Sequence, residues 1–472
     1  MSYLHEDRLF SSDKEQKSIA KEIYNEIKDL PIISPHGHTD PTWYADNINF
    51  PDPASLFIKP DHYVHRMMYS QGITLEELGV PFADGSAKEH DNRKIWDIFA
   101  NNYYLYAGTP SQMWLDTVFS EVFGFDQRLS GNNASAYYDK IDAALKTDEY
   151  KIHHLLDRFN IKFIATTEDP LDPLKAHQKI NTLNLKTKIV TTFRPDNVTN
   201  PEFPNFLTHI QKLGEITGED TLSYKGYIKA LQNRRAYFKE VGNATASDHG
   251  FPSAFTIDLT PAEAEALYNR IINNDNVTAK DCEVFRGHML MKMAEMSLDD
   301  GLVMQLHPGA YRNHNDAIFN NFGADKGADI PMNCEFTHAL KPILNKFGND
   351  PRFRLIMFTL DEDNYSRELA PLAGHYPALT LGPAWWFFDS PEGMLRYRQY
   401  VTETAGFYNT AGFNDDTRAF LSIPARHDVA RRIDARFLAT LVAEKRLGIE
   451  QAHILAKQLT NDLAKKAYRI NI

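Results

Sequence analysis

Cysteine is almost missing from this chain: only Cys282 and Cys334 occur in 472 residues. Two cysteines make no disulfide framework, and a reducing cytoplasm is the expected location. An excess of positive charge is missing as well. The 51 Lys and Arg are outnumbered by 63 Asp and Glu, the formal net charge is −12, and no basic run occurs. That excludes a general nucleic-acid role. No apolar run is long enough to span a membrane, so no membrane association is expected. The opening stretch MSYLHEDRLFSSDKEQKSIAKEIYNEIKDL has mixed charge and no apolar core, which argues against a signal peptide. There is no internal repeat and no low-complexity segment.

What is present is ample hydrophobic residue, 43% of the chain, enough for a large core. Residues 14–29 read as a helix, with Ile19, Ile23 and Ile27 at four-residue spacing. Short apolar runs follow at 31–38, 163–169, 188–196, 243–250, 302–309, 354–363, 378–387 and 411–418. Helical patterns such as TPAEAEALYNRIINN (260–274), THALKPILNKFG (337–348) and PEGMLRYRQYVTETAG (391–406) lie between the later ones. Eight strands alternating with helices predict an α/β fold, a parallel (β/α)8 TIM-type barrel. Residues 40–160 show no strand pattern and contain KIWDIFANNYYLYA (94–107) and ASAYYDKIDAALKT (134–147), so they read as a mostly helical insertion after strand 1. The expected organisation is 1–39 for the N-terminal helix and first strand, 40–160 for the insertion, 161–425 for the rest of the barrel, and 426–472 for extra C-terminal helices.

The chemistry gathers at the strand ends, where barrel enzymes place their sites. The first strand runs into PHGH. Residues i and i+2 of an extended strand face the same side, so His36 and His38 converge across Gly37. Two neutral imidazoles at a strand end can bind a transition metal. The other strands end in Thr166-Thr167-Glu168-Asp169, Arg194-Pro195-Asp196, Asp248-His249, His307, Asp361-Glu362-Asp363, Trp385-Trp386 and Asp415-Asp416-Thr417-Arg418. A rim of ionisable groups costs desolvation unless each is paired, so stability does not explain it. Strand 8 closes beside strand 1. That joins His36, His38 and Asp416 into an N2O set suited to one divalent metal ion, zinc, with positions left open for substrate.

These stretches, in this order, resemble the uronate isomerases of the amidohydrolase superfamily. The resemblance is carried by PIISPHGHTDP (31–41), DHYVHRM (61–67), ATTEDPLD (165–172), FRPD (193–196), ASDHG (246–250), MQLHPGAYRNHN (304–315), AWWF (384–387) and DDTRAFLSIPARHDVARR (415–432). It implies an aldose–ketose isomerase that converts D-glucuronate to D-fructuronate and D-galacturonate to D-tagaturonate. It also implies that His36, His38 and Asp416 hold the metal, that His62 and Tyr63 are a catalytic pair on the insertion, and that Arg194 and Arg418 contact the hexuronate substrate. Pro308, the acidic Asp361-Glu362-Asp363 and Pro383 depart from the family pattern and bear on substrate preference.

The residues support the same chemistry. A uronate needs a charged clamp at its carboxylate, where the planar fork of arginine fits, and an acid and base near C1 and C2. Asp416 and, singled out by the resemblance alone, Tyr63 are the acid/base candidates, for proton transfer through a cis-enediol. The alternative, a hydride shift, gains from a two-metal site, and no second ligand set is evident. His249 and His307 read either as structural or as substrate-facing. Trp385 and Trp386, adjacent on a strand, are expected to divide between pocket wall and core. Arg312 is expected to pair with the acidic end of strand 6, with substrate contact as the alternative. His427 and Arg431 read as structural. Two other functions fit the scaffold: a mononuclear metal-dependent hydrolase or decarboxylase, and a non-enzymatic sugar-acid binder. A binuclear hydrolase is disfavoured because 243–250 lacks a bridging lysine. A homo-oligomer is left open.

Overall fold

Strand β1 (Ile32–Ser34) follows a helix over Lys14–Ile27 that Asp13 caps through the amide of Gln16. Six more strands join it side by side: β2 (Ile161–Glu168), β3 (Lys188–Phe193), β4 (Ala246–His249), β5 (Val303–Leu306), β6 (Leu355–Met357) and β7 (Leu379–Leu381). They pair in chain order and all in parallel, as one curled seven-stranded sheet among the described residues. This computed structural model describes residues 3–472.

Parallel strands are covered on both faces and so are nearly all buried. Alternation then sorts their side chains. Ile33, Phe163, Ala165, Val190, Ala246, Val303 and Ile356 fill the inside of the curl. Phe193, Met304, Leu306, Leu355, Met357, Leu379 and Leu381 face outward onto the helices. The C-terminal residues Ala464, Ala467, Tyr468 and Ile470 pack into the inner cluster.

The segment expected as the eighth strand, 411–418, is not a strand. It touches β7 through one parallel bridge, Leu381 to Thr410, with Leu381 N donating to Asn409 O at 2.8 Å and Ala411 N donating to Leu381 O at 2.8 Å. Gly412 then turns to φ +73° against the backbone of Leu459 and Ala464, and Asp416 sits at φ +40°. Extended pairing cannot continue through such a bend. At the mouth, His38 N donates to Thr417 O at 3.0 Å, which ties this segment to the end of β1. Other strands are shorter than expected at their C-terminal ends: β6 and β7 stop at Met357 and Leu381.

Among the described residues no strand lies between Ser34 and Ile161. Helices fill that stretch around an aromatic core that includes Trp96, Phe99, Tyr103, Phe119 and Tyr137. One of them, His62–Ser70, starts at Asp61, whose carboxylate accepts from Tyr63 N at 2.8 Å and Val64 N at 3.3 Å. That cap places His62 and Tyr63 in the first turn, beside the sheet's mouth.

Gly382, just past β7, is where fold and mouth meet. A Cβ there would lie 2.3 Å from the Phe358 ring, which stacks on His307 at 3.8 Å between centroids. Gly382→Ala should therefore destabilise the protein by about 1–3 kcal/mol, as overpacking does. Chemical denaturation checks this, and an unchanged midpoint would show that Phe358 is free to move.

Candidate functional site

A cavity of 1230 Å3 opens at the C-terminal ends of the strands. His36, His38, Arg194, His307, Trp385, Asp416 and Arg418 line it from the sheet side, and His62 and Tyr63 from the helical stretch. Nine of the ten site residues expected from the sequence thus share one chamber. His249 does not. Alternation along β4 turns Asp248 inward and Ser247 and His249 outward, and His249 is fully buried with Nε2 3.3 Å from Ser247 Oγ.

The innermost group is His36, His307 and Asp416. Their ligand atoms all lie within 4.8 Å of one another. His36 Nε2 is 3.6 Å and His38 Nε2 is 3.1 Å from Asp416 Oδ1. His36 and His307 stack with centroids 5.0 Å apart. Two buried imidazole nitrogens, Nε2 of His36 and Nε2 of His307, have no hydrogen-bond partner. Buried polar atoms are seldom left so. The other nitrogen of His307, Nδ1, is 2.5 Å from Asp248 Oδ1. That carboxylate holds the proton on Nδ1 and leaves Nε2 a bare lone pair, the arrangement that orients histidine ligands in metal centres. Burial keeps His36 neutral, with its pKa lowered to about 4. Burial also works against the charge on Asp416, but the imidazoles of His36 and His38 hold it well below the usual carboxylate range. Two imidazole nitrogens without hydrogen-bond partners and one ionised carboxylate can hold a divalent metal ion, His36 through Nε2 when its ring proton is on Nδ1.

Around this group the cations are engaged. Arg194 Nε donates to Asp196 Oδ2 at 3.0 Å, and its Nη1 lies 3.0 Å from Asp248 Oδ2. A Cβ on residue 250 would fall 2.1 Å from Arg194 Nη2, so Gly250 leaves the space this guanidinium occupies. Arg418 is half-exposed and donates to Asp325 at 2.8 Å. Arg312 pairs with Asp329 at 3.0 Å and not with the acidic end of strand 6, because Arg312 and Asp329 face each other across the hairpin of Ala310–Tyr311 and Ile330–Pro331. Asp361, Glu362 and Asp363 are spent outside the cavity wall; Glu362, for one, accepts from Arg396 at 3.0 Å. His427 bonds Asp415 at 3.0 Å, and Arg431 donates to backbone carbonyls of Lys28, Leu30 and Pro31.

Trp385 and Trp386 both line the cavity. The chain has left the strand by Leu381, and Trp386 turns at φ +52°, so alternation no longer divides them. Trp385 packs on His307 at 4.7 Å, and Trp386 meets His62 at 5.9 Å. Burial, with the nearby Arg418 charge, lowers His62 to about 3, so its ring is neutral. Burial pushes the Tyr63 phenol above its ordinary range, although Arg426 opposes it. Arg426 was not foreseen. It lies over Trp114 at 3.5 Å and 5.6 Å from the Tyr63 ring, and it donates to buried Asp389. Only tertiary packing brings the helix Ile423–Ala443 to this wall.

Comparisons with known proteins agree along the whole chain. Residues 1–468 match the sequence model of the family described as glucuronate isomerase. The uronate isomerase of Xanthomonas campestris pv. campestris (strain B100) is 55% identical over 99% of both chains. The crystal structure of glucuronate isomerase from Caulobacter crescentus superposes with a TM-score of 0.97 at 54% identity, over 99% of this chain and 97% of that one. The uronate isomerase structure from Thermotoga maritima gives 0.92 at 27% identity, over 99% and 100%.

Metal analysis should find about one divalent ion per chain, and His36→Ala and His307→Ala should each lose most of it. Full retention in His307→Ala, with loss in His38→Ala, would move the site to the His36–His38 side.

Proposed function

The chain belongs to the glucuronate isomerase family, and from that premise we propose that it interconverts D-glucuronate with D-fructuronate and D-galacturonate with D-tagaturonate by proton transfer through an enediol. The whole-length match at this identity decides between isomerase and the hydrolase or decarboxylase alternative. We read the curled sheet, closed by the bridged residues 409–411, as a (β/α)8 barrel, with 40–160 inserted after the first strand and 426–472 as closing helices. No helix among the described residues is long and apolar enough to cross a membrane.

The observation that supports the mechanism is an ionised carboxylate and a protonated phenol lining the same cavity, one from the sheet side and one from the helical stretch. Asp416 is in the state a base needs, and Tyr63 keeps the proton an acid needs. The Asp416 carboxylate takes the C2 proton while the Tyr63 hydroxyl gives its proton to O1, leaving the enediol and a phenolate. The phenolate then takes the proton from O2, and the carboxyl of Asp416 returns its proton to C1. Both side chains end as they began. One base serving both carbons on one face makes the enediol cis. Neutral His62, its ring 4.5 Å from that of Tyr63, can hydrogen-bond a substrate hydroxyl without adding charge. A divalent ion, zinc by the donor set, held by His36, His307 and Asp416 with His38 alongside, supplies polarisation of the substrate carbonyl when bound.

The substrate carboxylate falls to Arg418 and Arg194. Arg418 has one acidic partner at a half-exposed site and exchanges it most cheaply. Arg194, fixed by two acids, is held rigidly and contributes a remaining N–H. Trp385 and Trp386 wall the sugar, and His307 faces it from the metal group.

The test is isomerisation in D2O, followed by NMR with either uronate. Solvent deuterium should appear at C1 of the ketose or C2 of the aldose, and Tyr63→Phe should lose at least about 100-fold in kcat, the order for removing one general acid. Arg418→Met should mainly raise KM. Full carry-over of a C2 deuterium label to C1 in H2O, with an active Tyr63→Phe, would replace this mechanism with a hydride shift.

A further inference from the structure

Beneath His36 a buried polar chain runs to the C-terminus. The Gln305 side-chain amide lies 3.3 Å from His36 Nδ1. Its other amide atom is 2.8 Å from the Tyr468 hydroxyl, and that hydroxyl is 3.2 Å from Asn414 Nδ2. All four residues are buried. Alternation on β5 turns Val303 and Gln305 into the curl, and Tyr468 reaches the same space from just beyond the helix Leu463–Ala467. Burial keeps the Tyr468 hydroxyl protonated.

This chain of bonds has two polarities. The oxygen and nitrogen of a carboxamide occupy equivalent positions, so an amide can turn over within the same contacts. In one polarity, Asn414 N–H donates to Tyr468, Tyr468 donates to Gln305 Oε1, and Gln305 N–H donates to His36 Nδ1. The ring proton of neutral His36 is then on Nε2, where no cation can bind. In the other, His36 Nδ1–H donates to Gln305 Oε1, Gln305 N–H donates to the Tyr468 oxygen, and Tyr468 donates to Asn414 Oδ1. Every group keeps a partner, and Nε2 presents its lone pair toward Asp416. The Tyr468 hydroxyl is the pivot, because one oxygen both donates and accepts.

We propose that Tyr468, acting through Gln305, is a positioning residue for His36: its hydroxyl holds the Gln305 amide against Nδ1 in the polarity that leaves Nε2 free as well as in the other, and so sets the affinity of the site for a divalent cation. The inference rests on the reading of His36 as a metal ligand and concerns metal affinity, apart from any step of the isomerisation.

The test is competition for zinc between the full-length, metal-stripped protein and a chromophoric chelator. Tyr468→Phe and Gln305→Leu should each weaken zinc binding about 10- to 100-fold, as loss of an outer partner of a ligand does. Gln305→Glu should bind at least as tightly as wild type, because a carboxylate accepts from both His36 Nδ1–H and Tyr468. In the Gln305→Glu background, Tyr468→Phe should cost less than about threefold, since the carboxylate alone then fixes the tautomer. A Tyr468 that merely packs would cost the same in both backgrounds, and that result overturns the proposal. So does unchanged affinity in Tyr468→Phe or, if that variant does not fold, in Gln305→Leu. Unchanged affinity in His36→Ala would overturn the metal reading itself; loss there without loss in Tyr468→Phe overturns this inference alone.

Discussion

A carboxylate taken out of water must be answered by a counter-charge or by hydrogen bonds, and the mouth of this sheet buries several. Arg194 answers Asp196 and one oxygen of Asp248, while His307 answers the other. Arg426 answers Asp389, whose carboxyl burial nevertheless pushes up to about 7. Asp416 is left facing His36, which burial keeps neutral, and His38. That imbalance makes the spot a place for a cation. Much of the local backbone serves to hold it. Thr167 Oγ1 donates to Gly37 O at 2.9 Å between the two histidines, and His38 N is tied to Thr417 O.

The same accounting applies to any anion that enters the cavity. Each arginine lining the cavity already has an acid: Asp196 and Asp248 for Arg194, Asp325 for Arg418, Asp329 for Arg312 and Asp389 for Arg426. An incoming carboxylate gains only the difference between itself and the acid it displaces. The exposed Arg418–Asp325 pair is the weakest of these, because solvent screens it. The buried pairs instead fix the geometry of the cavity lining, and Arg426 does so beside Tyr63.

Much of this was legible in the sequence because it follows from short spacings. His-x-His after an apolar run, alternation of strands and helices, and Asp416-Thr417-Arg418 near the end are local signals. The course of 411–418 was not legible, because Gly412 and the C-terminal helices decide it together. His307 stood between a structural and a substrate-facing role; its bond to Asp248, made across neighbouring strands, is what frees Nε2 toward His36 and Asp416. The tryptophan pair does not alternate because β7 ends four residues before Trp385. Arg426 and Tyr468 carry no local signal, since each reaches the site from a C-terminal helix that only the tertiary fold brings near.

The central claim is that the bare Nε2 atoms of His36 and His307 and the carboxylate of Asp416 form one metal centre. X-ray absorption at the zinc edge, on protein loaded with one equivalent, tests it most directly. The account predicts nitrogen and oxygen ligands at about 2.0–2.2 Å with outer-shell scattering from at least two imidazoles. A spectrum with no imidazole, or with only one, would contradict it.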